Sequence, residues 1–451
     1  MNYDFDVLYI GTGHAAWHGA LILKQFGKKV AFVERDLTGG TCTNYGCDAK
    51  ALLDGPAELV SALKRYESIG VTADIHMDWR KFMEYKHQSI DPLAPLMNGM
   101  LEGQGFTVFH GNASFVDEHT VSIGDTTVSA EQIVIATGQY DAKLEIPGKE
   151  YMHTSRDILS IPELPEHITF IGAGIISMEF ISLLTQFGTK ATVIEFADRA
   201  LLAYSEEYAA RITEKMKAAG VEFYFGESVT SVEHQGDRYV VTTAAGLQVV
   251  TDYVLSAIGR RANIEGLNLE VAGVVASPRG IPVDDHMRTN VPHIYASGDV
   301  VDKRIPKLTP TATFESNYIA GAILGNPAPI IYPAVPNVVF TLPRIAAVGV
   351  GVSEALKQPE TYHLAKVEFG KALAFEYRNE TDAELTAVLD QDNYIVGAEI
   401  FGDNAGEMIN IVTLIINGHM SGEQVAGTIW AFPTQTDGLV ELLAPLLHRG
   451  A

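Results

Sequence analysis

The sequence predicts an α/β protein in which one βαβ unit occurs twice, followed by a separate α+β region, on three observations. The first is a unit in which the apolar run Val7-Leu8-Tyr9-Ile10 meets the turn Gly11-Thr12-Gly13, a helical pattern runs through Leu23, and Val30-Ala31-Phe32-Val33 ends on Glu34. The second is its recurrence: Ile168-Thr169-Phe170-Ile171, Gly172-Ala173-Gly174, a helix through Leu184, then Ala191-Thr192-Val193-Ile194 ending on Glu195. Gly11 to Glu34 and Gly172 to Glu195 both span 23 positions, a match that one glycine turn alone would not make persuasive. The third is a change of pattern after about Tyr332, where short strands (Val338-Val339-Phe340, Leu385 to Leu389, Gly397 to Ile400) precede helices from Ala405 to Ile416 and from Ser421 onward.

Each part of the repeated unit has a physical reason. The first two glycines of each turn let the backbone approach a pyrophosphate resting on the helix N-terminus. Ala16 and Ser177 replace the usual third glycine, and both are small enough for close helix–strand packing. Glu34 and Glu195, at the ends of the second strands, are placed to accept hydrogen bonds from an adenosine ribose. The units therefore read as two Rossmann-like dinucleotide-binding domains in series. Between them, Ala57 to Tyr66 and Trp79 to Met97 read as helices, and Phe106 to Phe115 and Thr120 to Ile135 alternate like strands, ending in Ala136-Thr137-Gly138. A similar ending follows the second unit at Ala257-Ile258-Gly259-Arg260-Arg261.

Composition bounds the partners. A chain of 451 residues with 47% apolar content has room for two to four domains with large cores. Its 32 basic against 56 acidic residues, a net charge of −24, argue against a nucleic-acid surface or an anionic membrane as partner. The N-terminus, Met1-Asn2-Tyr3-Asp4-Phe5-Asp6, has no signal-peptide pattern and no apolar run is long enough to span a bilayer, so a cytoplasmic location is expected.

The only two cysteines lie together in Gly39-Gly40-Thr41-Cys42-Thr43-Asn44-Tyr45-Gly46-Cys47. In a reducing compartment an isolated close pair is more often redox-active than structural, and so short a loop removes little chain entropy. If the segment opens a helix, the first amides and the macrodipole favour a thiolate there. A regular helix holds residues five apart too distant for a relaxed disulfide, so the turn between them must be distorted and the disulfide easily reduced.

On these residues the chain resembles the flavoprotein disulfide reductases, the family of lipoamide dehydrogenase, glutathione reductase and mercuric reductase. The resemblance extends over Gly39-Gly40-Thr41-Cys42 with Cys47, Ala136-Thr137-Gly138, the second unit with Glu179, Ile258-Gly259-Arg260, Ala296-Ser297-Gly298-Asp299, Leu308-Thr309-Pro310, and Phe340-Thr341-Leu342-Pro343 before Val348-Gly349. It implies an FAD-binding domain in two parts (1–148 and 266–332), an inserted NAD(P)-binding domain (149–265) and a C-terminal α+β dimerisation domain (333–451) in a homodimer. FAD would contact Gly11, Gly13, Glu34, Gly40, Thr41, Thr137, Gly138, Asp299, Thr309 and Ala312. Gly172, Gly174, Ile176, Glu195 and Gly259 would hold the nicotinamide nucleotide. Cys47 would be the flavin-facing thiol, Cys42 the one that attacks a small-molecule acceptor, and Lys50 with Glu179 an ion pair beside the flavin. The resemblance implies a route from NADH through FAD to Cys47 and Cys42, ending on a disulfide-type acceptor.

Charge selects the nucleotide. A carboxylate at Glu195 accepts from the 2′-hydroxyl of NADH and repels the 2′-phosphate of NADPH, with Arg199 and Lys190 the residues able to reverse that preference. The main departure from the family lies in Trp430-Ala431-Phe432-Pro433-Thr434-Gln435-Thr436-Asp437. There Phe432 occupies the place of the histidine that serves as acid and base in the disulfide-reducing branches, and Asp437 that of its glutamate partner. A phenyl ring moves no proton, a loss worth about 10²- to 10⁴-fold. His14 and His18, one helical turn apart, are expected by the pyrophosphate and remote from the thiols, and no third metal ligand accompanies them. His419 and His448 read as surface residues, Trp430 and Phe432 as interface packing or a stacking wall, and Tyr45 as an alternative proton donor. The acceptor is thus open between a disulfide and, as alternatives, a metal ion, quinone or oxygen, or turnover gives way to redox sensing.

Overall fold

The computed structural model describes residues 2–448. Strand Phe5–Ile10 is almost wholly apolar and buried, as a strand covered on both faces must be. It sits at the centre of a five-stranded parallel arrangement: Thr107–His110, Val30–Glu34, Phe5–Ile10, the second half of Thr126–Ile135, and Ile294–Ala296. Thr126–Ile135 serves three partners: its first four residues pair antiparallel with Thr120–Ile123, and its last six run parallel between Phe5–Ile10 and Ile294–Ala296. Helix His14–Gln25 lies against helix Thr309–Ile323 at a contact only glycine permits. A Cβ on Gly19 would meet the Ser316 carbonyl at 2.2 Å, while Ser316 Oγ accepts from Gly19 N and donates to the Ala16 carbonyl. This crossing brings the N-terminus of the later helix to the glycine turn of the earlier one.

The second unit repeats the plan as a four-stranded parallel sheet in the order Glu222–Phe225, Lys190–Glu195, His167–Ile171, Tyr253–Ser256, with a three-stranded antiparallel sheet (Val229–Gln235, Arg238–Thr243, Gln248–Thr251) beside it. The chain leaves the first sheet through Gln139–Asp141 and returns through Arg260–Ala262, and these two segments pair antiparallel. The C-terminal unit is an antiparallel sheet ordered Asn337–Val339, Arg344–Gly349, Ile395–Gly402, Glu384–Leu389, His363–Val367, with helices Ala405–Asn417, Gly422–Ala426 and Gln435–Leu443 sharing its core.

Several local expectations change. The helix read over Trp79 to Met97 is two helices, Trp79–Ile90 and Leu93–Gly103, parted at Asp91-Pro92, where the proline lacks the amide proton that would carry the helical hydrogen bonding onward. The strand read over Phe106 to Phe115 is likewise two, Thr107–His110 and Ala113–Phe115, separated at Gly111, which has φ +151°. The helix read from Ala57 begins ten residues earlier, at Cys47, and tolerates Pro56 within it. Strand His363–Val367 carries no clear period-two pattern and was not anticipated.

Candidate active site

Both glycine turns have the predicted geometry. Gly11 (φ +112°) and Gly172 (φ +98°) lie in the left-handed region, and a Cβ on either would strike a carbonyl, that of Ala136 at 2.5 Å or of Ala257 at 2.7 Å. The terminal carboxylates do a job the sequence did not reveal: they tie down these turns. Glu34 Oε2 accepts from Thr12 N at 3.1 Å and from Thr12 Oγ1 at 2.6 Å, and its Oε1 accepts from Asp36 N at 2.9 Å. Glu195 accepts from Ala173 N at 2.5 Å and from Ala197 N at 2.8 Å. Arg199 turns its guanidinium onto the carbonyls of Ala200, Leu201, Leu202 and Tyr204, and Lys190 begins the strand that Glu195 ends, roughly 16 Å away by strand rise.

The surroundings of the first turn fit a bound dinucleotide. The turn presents bare backbone at the N-terminus of helix His14–Gln25, while the hydroxyls of Thr137 and Thr311 are buried without a partner. Buried hydroxyls of this kind ordinarily find an acceptor or donor. Gly138, at φ +68°, has open space where a side chain would stand. Asp299 lies in the turn Gly298–Val300, and that turn is anchored by Glu315, which is fully buried. Glu315 accepts from Gly298 N at 2.7 Å and from the Tyr332 hydroxyl at 2.7 Å, and is ion-paired with Lys303. Lys307 donates to the Asp299 carbonyl at 2.9 Å, and Arg260 lies 4.0 Å from the Asp299 carboxylate. None of Glu315, Lys303 and Tyr332 was evident from the sequence, because they converge only in three dimensions.

The cysteine segment is broken in the manner the covalent geometry requires. Helix Gly40–Tyr45 carries Cys42, Gly46 departs from helical backbone (φ −141°, ψ −113°), and helix Cys47–Tyr66 starts afresh. Both cysteines are free thiols. Cys47 Sγ lies 3.6 Å from Thr309 Oγ1, in the first turn of helix Thr309–Ile323, whose Ala312 is buried against Gly298. A hydrogen bond from Cys42, the Thr309 hydroxyl and the charge on Lys50 together bring the Cys47 thiol down to about 6, against its burial and the repulsion of Asp48. Cys42 moves the other way, well above the usual thiol range, because it donates to Cys47 and is partly buried. These neighbours favour Cys47 over Cys42 as the thiolate of the pair.

Lys50 Nζ sits 2.9 Å from Glu179 Oε2, and the other oxygen of Glu179 accepts from Phe340 N at 2.9 Å. The same ammonium lies 3.8 Å from the centre of the Phe340 ring. Burial raises the Glu179 carboxyl, and Lys50 and the Phe340 amide oppose that rise. A cation three residues after Cys47 is thereby fixed by the second unit and by the start of the C-terminal one. Gly174 caps helix Ile175–Leu184, which presents Ile176 in its first turn, and Gly259 (φ +113°) closes the parallel segment.

The segment that lacks the histidine turns Phe432 to solvent in the single chain. Phe432 is 81% exposed and Ile429 99% exposed, on a loop held by Trp430, whose indole donates to the Val425 carbonyl at 3.2 Å. Asp437 lies in the first turn of helix Gln435–Leu443. His419 and His448 stack on Tyr394, at 3.7 and 4.5 Å between ring centres, within the C-terminal unit. Tyr45 is committed elsewhere: its hydroxyl donates to Asp36 at 3.2 Å and Arg156 covers its ring at 3.6 Å. His14, at the start of helix His14–Gln25, pairs with His18 through Nδ1 and Nε2 at 3.0 Å; burial lowers its imidazole and Asp48 partly offsets that.

No helix among the described residues is long and apolar enough to cross a membrane. Comparison with known proteins agrees with the geometry. Residues 5–316 match the family described as pyridine nucleotide-disulphide oxidoreductase, and residues 335–443 match the dimerisation domain of that family. Dihydrolipoyl dehydrogenase of Bacillus subtilis (strain 168) is 34% identical over 449 residues, covering 96% of this chain and 94% of the relative. The enzyme of that name from Haloferax volcanii is 32% identical over 457 residues, covering 97% and 95%. The fold is also that of the HOCl-induced flavoprotein disulfide reductase RclA from Escherichia coli, with a TM-score of 0.87, 24% identity and coverage of 98% and 99%. The two glycine turns, the dithiol, and these matches along nearly the full length together establish that the chain belongs to the pyridine nucleotide-disulphide oxidoreductases, FAD-dependent enzymes that use NAD(P)H.

Proposed function

We propose that the chain works as a homodimeric NADH-dependent reductase whose acceptor is a disulfide, with Cys47 and Cys42 as the outlet. The observation that carries this reading is the setting of the pair: Cys47 Sγ lies 3.6 Å from Thr309 Oγ1 with the Lys50 ammonium held by Glu179 three residues on, and a hydrogen bond from Cys42, then Thr309 and Lys50, favour Cys47 as the thiolate while Cys42 keeps its proton. FAD, when bound, carries two electrons from the nicotinamide to the Cys42–Cys47 disulfide. Gly11, Gly13, Glu34, Gly40, Thr41, Thr137, Gly138, Asp299, Thr309 and Ala312 are the residues we assign to hold it. Thr309 at the helix N-terminus faces Cys47, and Lys50 holds positive charge beside it, so both favour the open, anionic form of the pair.

Gly172, Gly174, Ile176, Glu195 and Gly259 are assigned to the nicotinamide nucleotide. Glu195 supports NADH over NADPH, because a 2′-phosphate would meet a carboxylate while Arg199 is engaged with four carbonyls and Lys190 lies at the far end of the strand.

Phe432 favours a second reading, reduction of an acceptor such as a metal ion, quinone or oxygen that releases no thiolate needing a proton. A solved structure of the same fold is described as the Cu(II) complex of a cysteine-to-serine mutant of RclA, which makes Cu(II) a sensible member of the panel. Purified holoenzyme given NADH and a panel of glutathione disulfide, lipoamide, Cu(II) and quinones separates the readings. Disulfide turnover that disappears in Cys42→Ser supports the first. Acceptor reduction that survives Cys42→Ser, with no disulfide reduced, supports the second.

A further inference from the structure

Helix Cys47–Tyr66 carries Cys47, Lys50, Asp54 and Glu58 at helical spacing, so one face runs from the thiol through a cation to two carboxylates. The cation has two carboxylates within reach. Glu179, on helix Ile175–Leu184, takes the Lys50 ammonium at 2.9 Å, yet Asp54 stands four residues on, the spacing at which lysine and carboxylate side chains meet on a helix. Asp54 is buried and close enough to act on the Glu179 carboxyl, which it raises. A Lys50 drawn to Asp54 would shift its charge along the helix, away from Cys47, by up to about one turn, roughly 5 Å.

The start of the C-terminal unit settles where the ammonium stands. Phe340 N donates to Glu179 Oε1 at 2.9 Å and Leu342 N to Ser182 Oγ at 3.2 Å, which pins residues 340–342 to the helix that carries Glu179. The Phe340 ring thereby meets two cations, Lys50 Nζ at 3.8 Å from its centre and the Arg344 guanidinium at 4.8 Å. Arg344, the first residue of strand Arg344–Gly349, is 7% exposed, and its Nη2 donates to Asp54 and to Glu58, both at 2.8 Å. Its Nη1 is buried without a partner. An apolar side chain would fill that place without stranding a nitrogen, so packing alone does not account for the arginine.

We propose that Arg344 and Phe340 are positioning residues for Lys50: Arg344 occupies the competing carboxylates Asp54 and Glu58, and the Phe340 ring and Glu179 hold the ammonium on the turn next to Cys47. The inference rests on the reading of Cys47 as the thiolate and Lys50 as its cation. No proton or electron passes through either positioning residue. Both act only through where Lys50 stands.

Two measurements on FAD-loaded protein test this: the rate at which NADH forms the dithiol, and the pH midpoint of the long-wavelength absorbance of the reduced form. Arg344→Gln frees Asp54 to draw Lys50 away, and is expected to slow dithiol formation about tenfold and to raise the midpoint by about half a unit. Adding Asp54→Asn removes the competitor and should return both readouts toward the wild type, a recovery that a general loss of stability would not produce. Phe340→Leu keeps every charge and the backbone donor to Glu179, and is expected to slow dithiol formation about threefold. Arg344→Gln that matches the wild type in both readouts, or that is equally impaired with and without Asp54→Asn, overturns the proposal; if Arg344→Gln does not retain FAD, Phe340→Leu indistinguishable from the wild type does so. Lys50→Met is the reference. If it changes both readouts and Arg344→Gln changes neither, the proposal fails and the dithiol reading stands; if Lys50→Met changes neither, the reading of Lys50 as the thiolate's cation is refuted and the proposal falls with it.

Discussion

The Thr309 hydroxyl lies 3.6 Å from the Cys47 sulfur, joining the second cysteine helix to the N-terminus of a helix 262 residues later in the chain. A hydrogen bond from Cys42, that contact and Lys50 together bring the Cys47 thiol down to about 6. The thiolate should therefore be present at pH 7 to 8 and be lost as the pH falls through about 6. Thr309→Val removes a donor to the anion and raises this midpoint by about one unit, equivalent to about 1.4 kcal/mol. Asp48→Asn removes a repelling charge and lowers it. Titration of the long-wavelength absorbance of NADH-reduced holoenzyme reads both shifts.

Lys50→Met leaves the Glu179 carboxylate buried beside an alkyl chain. Removing one partner of a buried pair costs about 3–5 kcal/mol, and the partial exposure of Lys50 places the expected loss near the lower end. Chemical denaturation of holoenzyme measures it. Lys50→Met/Glu179→Leu should recover part of the loss, because the stranded charge is then gone. Formation of the dithiol by NADH should slow in Lys50→Met, since Cys47 loses its nearby cation.

Glu195→Ala removes the acceptor proposed for the NADH ribose and also the tie to Ala173 and Ala197. kcat/KM for NADH should fall about tenfold, the effect of one or two hydrogen bonds to a charged group. The value for NADPH should rise or hold, narrowing the preference. A uniform loss for both nucleotides would assign Glu195 to the turn alone.

Gly11→Ala forces a Cβ to within 2.5 Å of the Ala136 carbonyl at φ +112°. Backbone in that region strains any L side chain, and the adjacent strand cannot move without breaking its pairing with Phe5–Ile10. The purified variant should lose FAD content and thermal stability together.

The glycine turns and the positions of their carboxylates were legible in the sequence because each rests on local backbone geometry repeated at one spacing, whereas the tie of Glu34 to Thr12 and of Glu195 to Ala173 was not. A distorted turn between the cysteines was legible for the same reason, since covalent geometry forbids a relaxed bridge across a regular helix; that it falls at Gly46 is seen only in the structure. What escaped the sequence depends on long-range approach. Glu315 reaches Gly298 only because Gly19 lets two helices cross closely. Arg199 offered a cation for a phosphate, and only the folded loop shows it engaged with four carbonyls. Tyr45, between the cysteines in sequence, points its hydroxyl to Asp36.

The central claim is that electrons from NADH come to rest on Cys42 and Cys47 with Cys47 ionised. Anaerobic titration of the FAD-loaded protein with NADH at about pH 7.5, above the Cys47 midpoint, followed by absorbance, tests it most directly. The first equivalent of NADH is expected to yield a long-wavelength band that Cys47→Ser lacks, and to open the Cys42 thiol to alkylation, which in Cys47→Ser is open before any NADH is added. Bleaching of the flavin by the first equivalent, with no such band and with Cys47→Ser titrating like the wild type, would contradict it.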